Sequence, residues 1–215
     1  MKNVSVSLDI ISEFLGSAFL FCAVVGSGIM AQNLTNDESI ILFINSIITF
    51  FALYFLISCF NEYSNHFNPA VSLAMYFNNN ISFKVLIIFT SIQITGAIIG
   101  VLIANYMFEI PLFNFSTKNR IGINIYISEI IATFGLVFFI LISKKSNTAI
   151  IVASYIAAAY WFTSSTSFAN PAGTIGRMFS DTYAGISPEN IFAFCIAQII
   201  GSIIAVFLYK RFFKN

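Results

Sequence analysis

The sequence predicts an all-α membrane fold: six transmembrane helices plus two re-entrant half-helices, arranged as an inverted repeat. Three observations predict it. Of 215 residues, 58% are hydrophobic and only 9% are charged, against about 25% charged in a soluble domain; the mean hydropathy is +0.88. Six apolar runs are each long enough to cross a hydrocarbon core, which takes about 20 helical residues. Two Asn-Pro-Ala segments, Asn68-Pro69-Ala70 and Asn170-Pro171-Ala172, stand in matching contexts, one in each half of the chain.

The spans are predicted at residues 10–31, 40–60, 83–108, 125–142, 149–166 and 191–209. The first is flanked by Asp9 and Glu13 and is too long for the apolar core of a cleaved signal, so it is expected to stay as a span. An even number of spans puts both ends on one side. Lys2, Lys84, Lys144, Lys145, Lys210, Arg211 and Lys214 fall on that side, and only Lys118, Arg120 and Arg177 on the other. The excess of cations predicts cytoplasmic termini. A net charge of +1 offers no footing for nucleic acid. Cys22, Cys59 and Cys195 lie in apolar runs without metal-like spacing and are expected to be small core residues.

The Asn-Pro-Ala segments open two elements too short to cross. Asn is a good N-cap, and Pro69 and Pro171 suit the first helical position. Residues 68–77 cover about 15 Å, half the core, and 170–180 are similar. Two half-helices meeting from opposite faces add up to one span. Irregular backbone at that depth must be buried in protein or line a wet cavity, so a polar interior path follows from length alone.

The halves repeat. Gln93-Ile94-Thr95-Gly96 matches Gln198-Ile199-Ile200-Gly201, with Gly100 falling opposite Ala205, and Ser12-Glu13 echoes Ser128-Glu129. Each half reads span, span, half-helix, span. Three spans per half is odd, so the second copy, about 124–210, is inverted relative to the first, about 8–108. The whole is expected to be one channel domain without a linker boundary, residues 107–124 joining the halves on the outside. The repeated glycines, with Gly16, Gly26 and Gly28, suit close helix crossings.

Few side chains carry chemistry. Glu13 and Glu129 are costly at membrane depth. Their matching positions favour a structural role, accepting hydrogen bonds from re-entrant backbone, over a proton relay. Glu62 is expected in a loop. The single histidine, His66, has no companions for a metal site and is expected to anchor the loop by a hydrogen bond. Arg177 reads either as a pore charge or as the partner of Asp181 four residues on, the pair being slightly favoured. No nucleophile–base set, phosphate loop or redox motif is present, so an enzyme is not expected, and no metal or cofactor is implied.

The segments Ser12-Glu13-Phe14-Leu15-Gly16, His66-Phe67-Asn68-Pro69-Ala70-Val71, Gln93 with Gly96-Ala97 and Gly100, Ser128-Glu129, Asn170-Pro171-Ala172, and Gln198 with Gly201 resemble the aquaporin and aquaglyceroporin (major intrinsic protein) family over nearly the whole chain. The resemblance implies an aquaporin-like fold, one pore per subunit, a homotetramer in the lipid bilayer, and passive, cofactor-free passage of small uncharged solutes. Asn68 and Asn170 would cap their helices through the side-chain oxygen and turn a free amide to the lumen. Paired half-helix N-termini place positive charge at the midplane, which repels cations and protons. Carbonyls of residues 64–67 and 167–169 would supply acceptors.

Family members usually carry Arg after the second Asn-Pro-Ala; here it is Gly173. Spacing carries the remaining constriction positions to Ile48, Ala158 and Ser167. This set lacks charge and an aromatic clamp, which predicts a filter wider than a strict water channel's. The stretch after Gly173 resembles a bacterial branch associated with arsenic resistance, where trihydroxy arsenite passes as a polyol mimic. That implies a bacterial inner membrane, with Arg177 restoring part of the lost charge. Ser64 and Asn65 replace family glycines. The competing readings are a secondary transporter, a strict water channel and a non-conducting scaffold.

Overall fold

The computed structural model describes residues 6–214. Eight α-helices follow in order: α1 Val6–Leu34, α2 Glu38–Cys59, α3 Pro69–Phe77, α4 Phe83–Met107, α5 Ile123–Ile142, α6 Thr148–Phe162, α7 Pro171–Gly176 and α8 Ile191–Phe212. Five of them are long and apolar enough to cross a bilayer. α6 has 15 residues and follows a 3₁₀ turn at Lys145–Asn147.

Starts and stops follow from local chemistry. Asp37 caps α2 by accepting from Ser39 N at 2.8 Å, and Ser82 caps α4 through Val85 N at 3.3 Å; each satisfies an orphan amide of a first turn. α6 stops short of the predicted 166. Thr163 turns its hydroxyl back onto Ala159 O at 2.6 Å, and Thr166 and Ser167 take positive φ values of 59° and 48°. The chain therefore leaves the helix early to feed the second half-helix. That half-helix is also shorter than the predicted 170–180: α7 ends at Gly176 and tightens into a 3₁₀ turn, Arg177–Phe179.

The long helices pair as α1 with α4 and α5 with α8, the equivalent pairs of the two halves of an inverted repeat; α2 lies against α6. The half-helices fill the seam between the pairs: α3 packs on both α4 and α8, and α7 chiefly on α4. Close crossings need glycine. A Cβ at Gly96 would stand 2.5 Å from Phe14 O, and one at Gly201 2.5 Å from Ile130 O, so backbone meets backbone at equivalent places. Side chains such as Val25, Ala97, Val101, Val137 and Ala153 fill the interior. Phe43, Phe51, Phe55, Ile199 and Ile203 face outward, as suits a surface solvated by lipid.

Glu13 and Glu129 hold the half-helices at depth. Glu13 accepts from His66 N at 2.8 Å, Phe67 N at 2.7 Å, Gln93 Nε2 at 2.7 Å and the Ser64 hydroxyl. Glu129 accepts from Phe168 N and Ala169 N, both at 2.9 Å, and from Gln198 Nε2 at 2.7 Å. Each glutamine donates a second bond, Gln93 to Ser72 Oγ and Gln198 to Thr174 Oγ1, both at 2.9 Å. Both carboxylates are fully buried. They replace water for loop amides that have no helix partner.

Outside the bundle, the 108–122 connection is stitched to the segment after α7. Ser116 N donates to Met178 O at 2.8 Å, Asn114 bridges Ser180, and Thr117 N donates to Asp181 Oδ1 at 2.9 Å. On the face predicted to be inner, Lys214 Nζ reaches Asn78 Oδ1 at 2.8 Å; Lys2 lies outside the described residues. Cys22 is partly buried and packs against the core, and Cys195 is partly buried; Cys59 is exposed, which corrects the expectation of a core residue there, since it ends α2 on a flank the bundle does not cover.

Glu129→Gln places an amide against loop N–H donors and should cost about 3 kcal/mol. A lowered thermal unfolding temperature of the detergent-solubilised protein, with solute flux lost in parallel, is the expected outcome; an unchanged melt would remove the buttressing role.

Candidate functional site

The two half-helices meet through their caps. Asn68 Oδ1 accepts from Ala70 N at 2.9 Å, and Asn170 Oδ1 from Ala172 N at 3.0 Å. Each amide then crosses to the other loop: Asn68 Nδ2 donates to Ala169 O, and Asn170 Nδ2 to Phe67 O, both at 2.8 Å. The acceptor residues take matching left-handed conformations, φ 49° at Phe67 and 46° at Ala169. An amide has two hydrogens, so each asparagine keeps one N–H beyond this reciprocal pair. This refines the expectation of a wholly free amide.

Both asparagines line a cavity of about 940 Å³. One mouth carries Asp9, Glu62, Asn80 and Lys145; along the cavity's length stand the apolar side chains of Leu20, Leu53, Val71, Leu136, Val152 and Ile156. Its far end, beyond the asparagines, is built by Phe21, Val24, Thr49, Tyr160, Ser167, Phe168 and Arg177. The carbonyls of Asn65, His66, Ser167 and Phe168 accept no hydrogen bond among the described residues. They form a track of acceptors on segments lining the cavity, opposite an apolar wall. His66 lines it too, its Nδ1 3.0 Å from Ser72 Oγ. Pro69 and Pro171 occupy the first helical positions, and Gln93 and Gln198 brace the glutamates from behind.

Several positions differ from the sequence expectation. Ile48 is 38% exposed and Ala158 is exposed, both away from the cavity. Thr49 and Tyr160 face it instead, 3.1 Å apart through their hydroxyls. One residue turns a helix by about 100°, enough to swap lumen for lipid. A signal for α2 existed: Asn45 and Thr49 are polar at i, i+4, with Thr49 Oγ1 donating to Asn45 O at 2.8 Å, and Ile48 lies off that stripe. Ser167 does line the cavity. Gly173 does not, because a Cβ there would overlap the Phe21 ring. Phe21 carries no sequence signal, since it reads as an ordinary core aromatic.

Arg177 does not pair with Asp181. The helix has already tightened, and Asp181 is held by Thr117. The Arg177 guanidinium lies 3.4 Å from the Phe168 ring centroid, with Nε donating to Ala184 O. Arg120 stands over the same ring at 4.8 Å. Arg177, expected to restore part of the charge that Gly173 lacks, does stand at this end of the cavity, and the aromatic groups missing from the expected set of four positions are supplied there by Tyr160, Phe21 and Phe168. Among the described residues no cluster of His, Cys, Asp and Glu could hold a metal.

The family model for Major intrinsic protein matches residues 1–163, which include the first Asn-Pro-Ala and stop before the second. The chain is 39% identical to "Aquaglyceroporin AqpS" of Rhizobium meliloti (strain 1021), over 98% of this chain and 92% of that protein. It is 29% identical to a "Probable aquaporin TIP-type" of Medicago truncatula, covering 95% and 86%. Among solved structures, the aquaglyceroporin from Plasmodium falciparum superposes with a TM-score of 0.73 at 19% identity, covering 97% of both chains, a likeness of fold. The chain belongs to the major intrinsic protein family of non-enzymatic membrane channels.

Proposed function

We propose that this channel passes small neutral polyhydroxy solutes: glycerol-like polyols, water, and metalloid hydroxides such as arsenous acid. The observation that carries the proposal is a cavity running past Asn68 and Asn170 with acceptor carbonyls along one side and an apolar wall along the other. A polyol has the same two faces, hydroxyls and a carbon backbone. It exchanges water for the carbonyl track and the spare N–H of each asparagine, while its carbons lie on Leu53, Val71 and Ile156. An ion finds no comparable replacement for its hydration shell, and the N-termini of α3 and α7 add a positive field against cations. The 39%-identical relative is named an aquaglyceroporin, which agrees with this solute class.

At the far end the constriction consists of Thr49, Tyr160, Ser167 and Arg177, with Phe21 standing over Gly173. The ring occupies the space that a side chain at 173 would otherwise fill, so Phe21 sets the width there. His66 serves as a loop anchor within reach of the lumen. Each subunit carries its own pore in a homotetramer, seated in a bacterial inner membrane with cytoplasmic termini.

Stopped-flow light scattering on proteoliposomes tests the function. Glycerol, water and arsenous acid should each equilibrate faster than in protein-free vesicles, without saturation and without dependence on an ion gradient. Rates equal to those of empty vesicles would reject conduction, and gradient-dependent uptake would move the protein to the transporters.

Phe21→Ala should raise the glycerol rate relative to the water rate, since the ring and not the glycine limits width; an unaltered ratio would dismiss that role. Gly173→Ala should destabilise by about 1–3 kcal/mol through overlap with the ring. Adding Phe21→Ala to the same chain should return most of that loss, read as a non-additive double-mutant cycle in thermal melts.

A further inference from the structure

Two hydroxyls at equivalent places in the two halves give their protons to different partners. Ser72 follows Asn68 at the spacing with which Thr174 follows Asn170. Each accepts from its glutamine, Gln93 or Gln198, at 2.9 Å. Thr174 donates to Asn170 O at 2.9 Å and stands 3.3 Å from Gln198 Oε1. Ser72 makes neither bond among the described residues. Gln93 Oε1 is buried without a partner, and the acceptor left for the Ser72 proton is His66 Nδ1, 3.0 Å away. The difference follows from the residue that stands two before each asparagine. Phe168 has no acceptor to offer, and His66 has one.

This pattern fixes the imidazole. Ser72 is fully buried. A proton on His66 Nδ1 would face the hydroxyl and leave the hydroxyl's own proton without an acceptor, whereas buried polar groups are ordinarily paired. Nδ1 therefore accepts, and the ring proton sits on Nε2; the bond that one nitrogen makes sets which of them carries it. An imidazolium, protonated on both nitrogens, meets the same obstacle. The groups around the ring do not reverse this. On α1, Glu13 is already taken by the Ser64 hydroxyl, His66 N, Phe67 N and Gln93 Nε2, and Asp9 accepts from Ser64 N at 2.8 Å. α4 presents the Phe89 ring, its centroid 5.7 Å from that of the imidazole, and α3 presents Ser72 itself. Nε2 makes no hydrogen bond among the described residues, yet it is not one of the sealed polar atoms, and His66 lines the cavity. It opens on the path between the Asp9 mouth and the asparagine joint.

We infer that Ser72 locks His66 as the neutral Nε2–H tautomer, a fixed donor that a solute hydroxyl meets before it reaches Asn68 and Asn170. Ser72 is a positioning residue: it acts through His66 and touches no solute. The opposite tautomer would turn a lone pair to the lumen, a further acceptor beside the carbonyls of Asn65 and His66, and a solute oxygen there would find no donor. A polyol both donates and accepts. Its protons go to the carbonyls, and Nε2–H gives its own to a solute oxygen. The role in flux rests on the proposed conduction; the tautomer does not.

His66 is the only histidine in the chain, so isotopic labelling of imidazole nitrogen reads this residue alone. In NMR spectra of the full-length protein in liposomes at neutral pH, Nε2 should carry the proton. Nδ1 should be a pyridine-type nitrogen moved upfield of the free position, because it accepts a hydroxyl proton. In Ser72→Ala that displacement should vanish and the proton should divide between the two nitrogens. If Ser72→Ala does not fold, the wild-type Nδ1 resonance decides. A proton on Nδ1, protons on both nitrogens, Nδ1 at the free position, or spectra alike in wild type and Ser72→Ala would overturn the lock. In proteoliposomes His66→Phe, which installs the counterpart residue of the other half, should slow glycerol about fivefold, the loss of one neutral hydrogen bond. His66→Gln, whose amide again supplies a donor, should recover most of the wild-type rate. Glycerol flux unchanged in His66→Phe, or no faster in His66→Gln than in His66→Phe, would overturn the donor role. The expected spectrum in a wild-type protein without glycerol flux would leave the lock standing and reject the conduction reading.

Discussion

Two asparagines, each reaching across to a carbonyl of the opposite loop, form the joint on which this structure depends. Neither half-helix spans the membrane, and each presents bare amides at a depth where no lipid can satisfy them. The asparagine oxygens take the first-turn amides and their nitrogens tie the two loops together. The buried glutamates complete the arrangement from behind, taking the loop amides at residues 66 and 67 and at 168 and 169. Left-handed backbone at Phe67 and Ala169 is costly for residues with a Cβ. It persists because cap, carboxylate and carbonyl all require the same turn.

The joint also fixes what can face the cavity. With the loop amides committed to Glu13 and Glu129, the carbonyls of residues 65, 66, 167 and 168 are left toward the path. The polar track is the remainder of the packing arithmetic of the two loops. The halves are alike in this but not identical. Where the first half has His66 near the lumen, the second has Phe168, and the aromatic ring becomes a platform for two arginines.

The elements visible in the sequence are those set by local chemistry. Asn-Pro-Ala encodes a cap and a first turn wherever it occurs, and a ten-residue helix cannot cross a membrane, so the capped half-helices and a cavity beside them were readable, while the bonds from each asparagine amide to the opposite loop were not. The glutamates and glutamines were readable because repetition singled them out. The lumen-facing set was not. Whether Ile48 or Thr49 faces inward depends on the rotation of α2 about its axis, which is fixed by packing against α1 and α6. The end of α6 depends on how much chain the second loop needs. The partner of Arg177 depends on the 3₁₀ turn that carries it away from Asp181. Phe21 and Gly173 come from different halves, and only the assembled structure shows that one fills the space of the other.

The cavity's two ends are chemically unlike: carboxylates, amide and ammonium at one mouth, guanidinium, phenol and phenyl rings at the other. Such polarity invites the notion of a one-way valve. Microscopic reversibility forbids it in a pore that consumes no fuel, since every barrier crossed inward is crossed outward by the same route. The built-in asymmetry alters how fast a solute relaxes toward equal activity on both sides and never where that balance lies. Any sustained export or import through this protein must therefore be driven by chemistry elsewhere that keeps making or removing the solute.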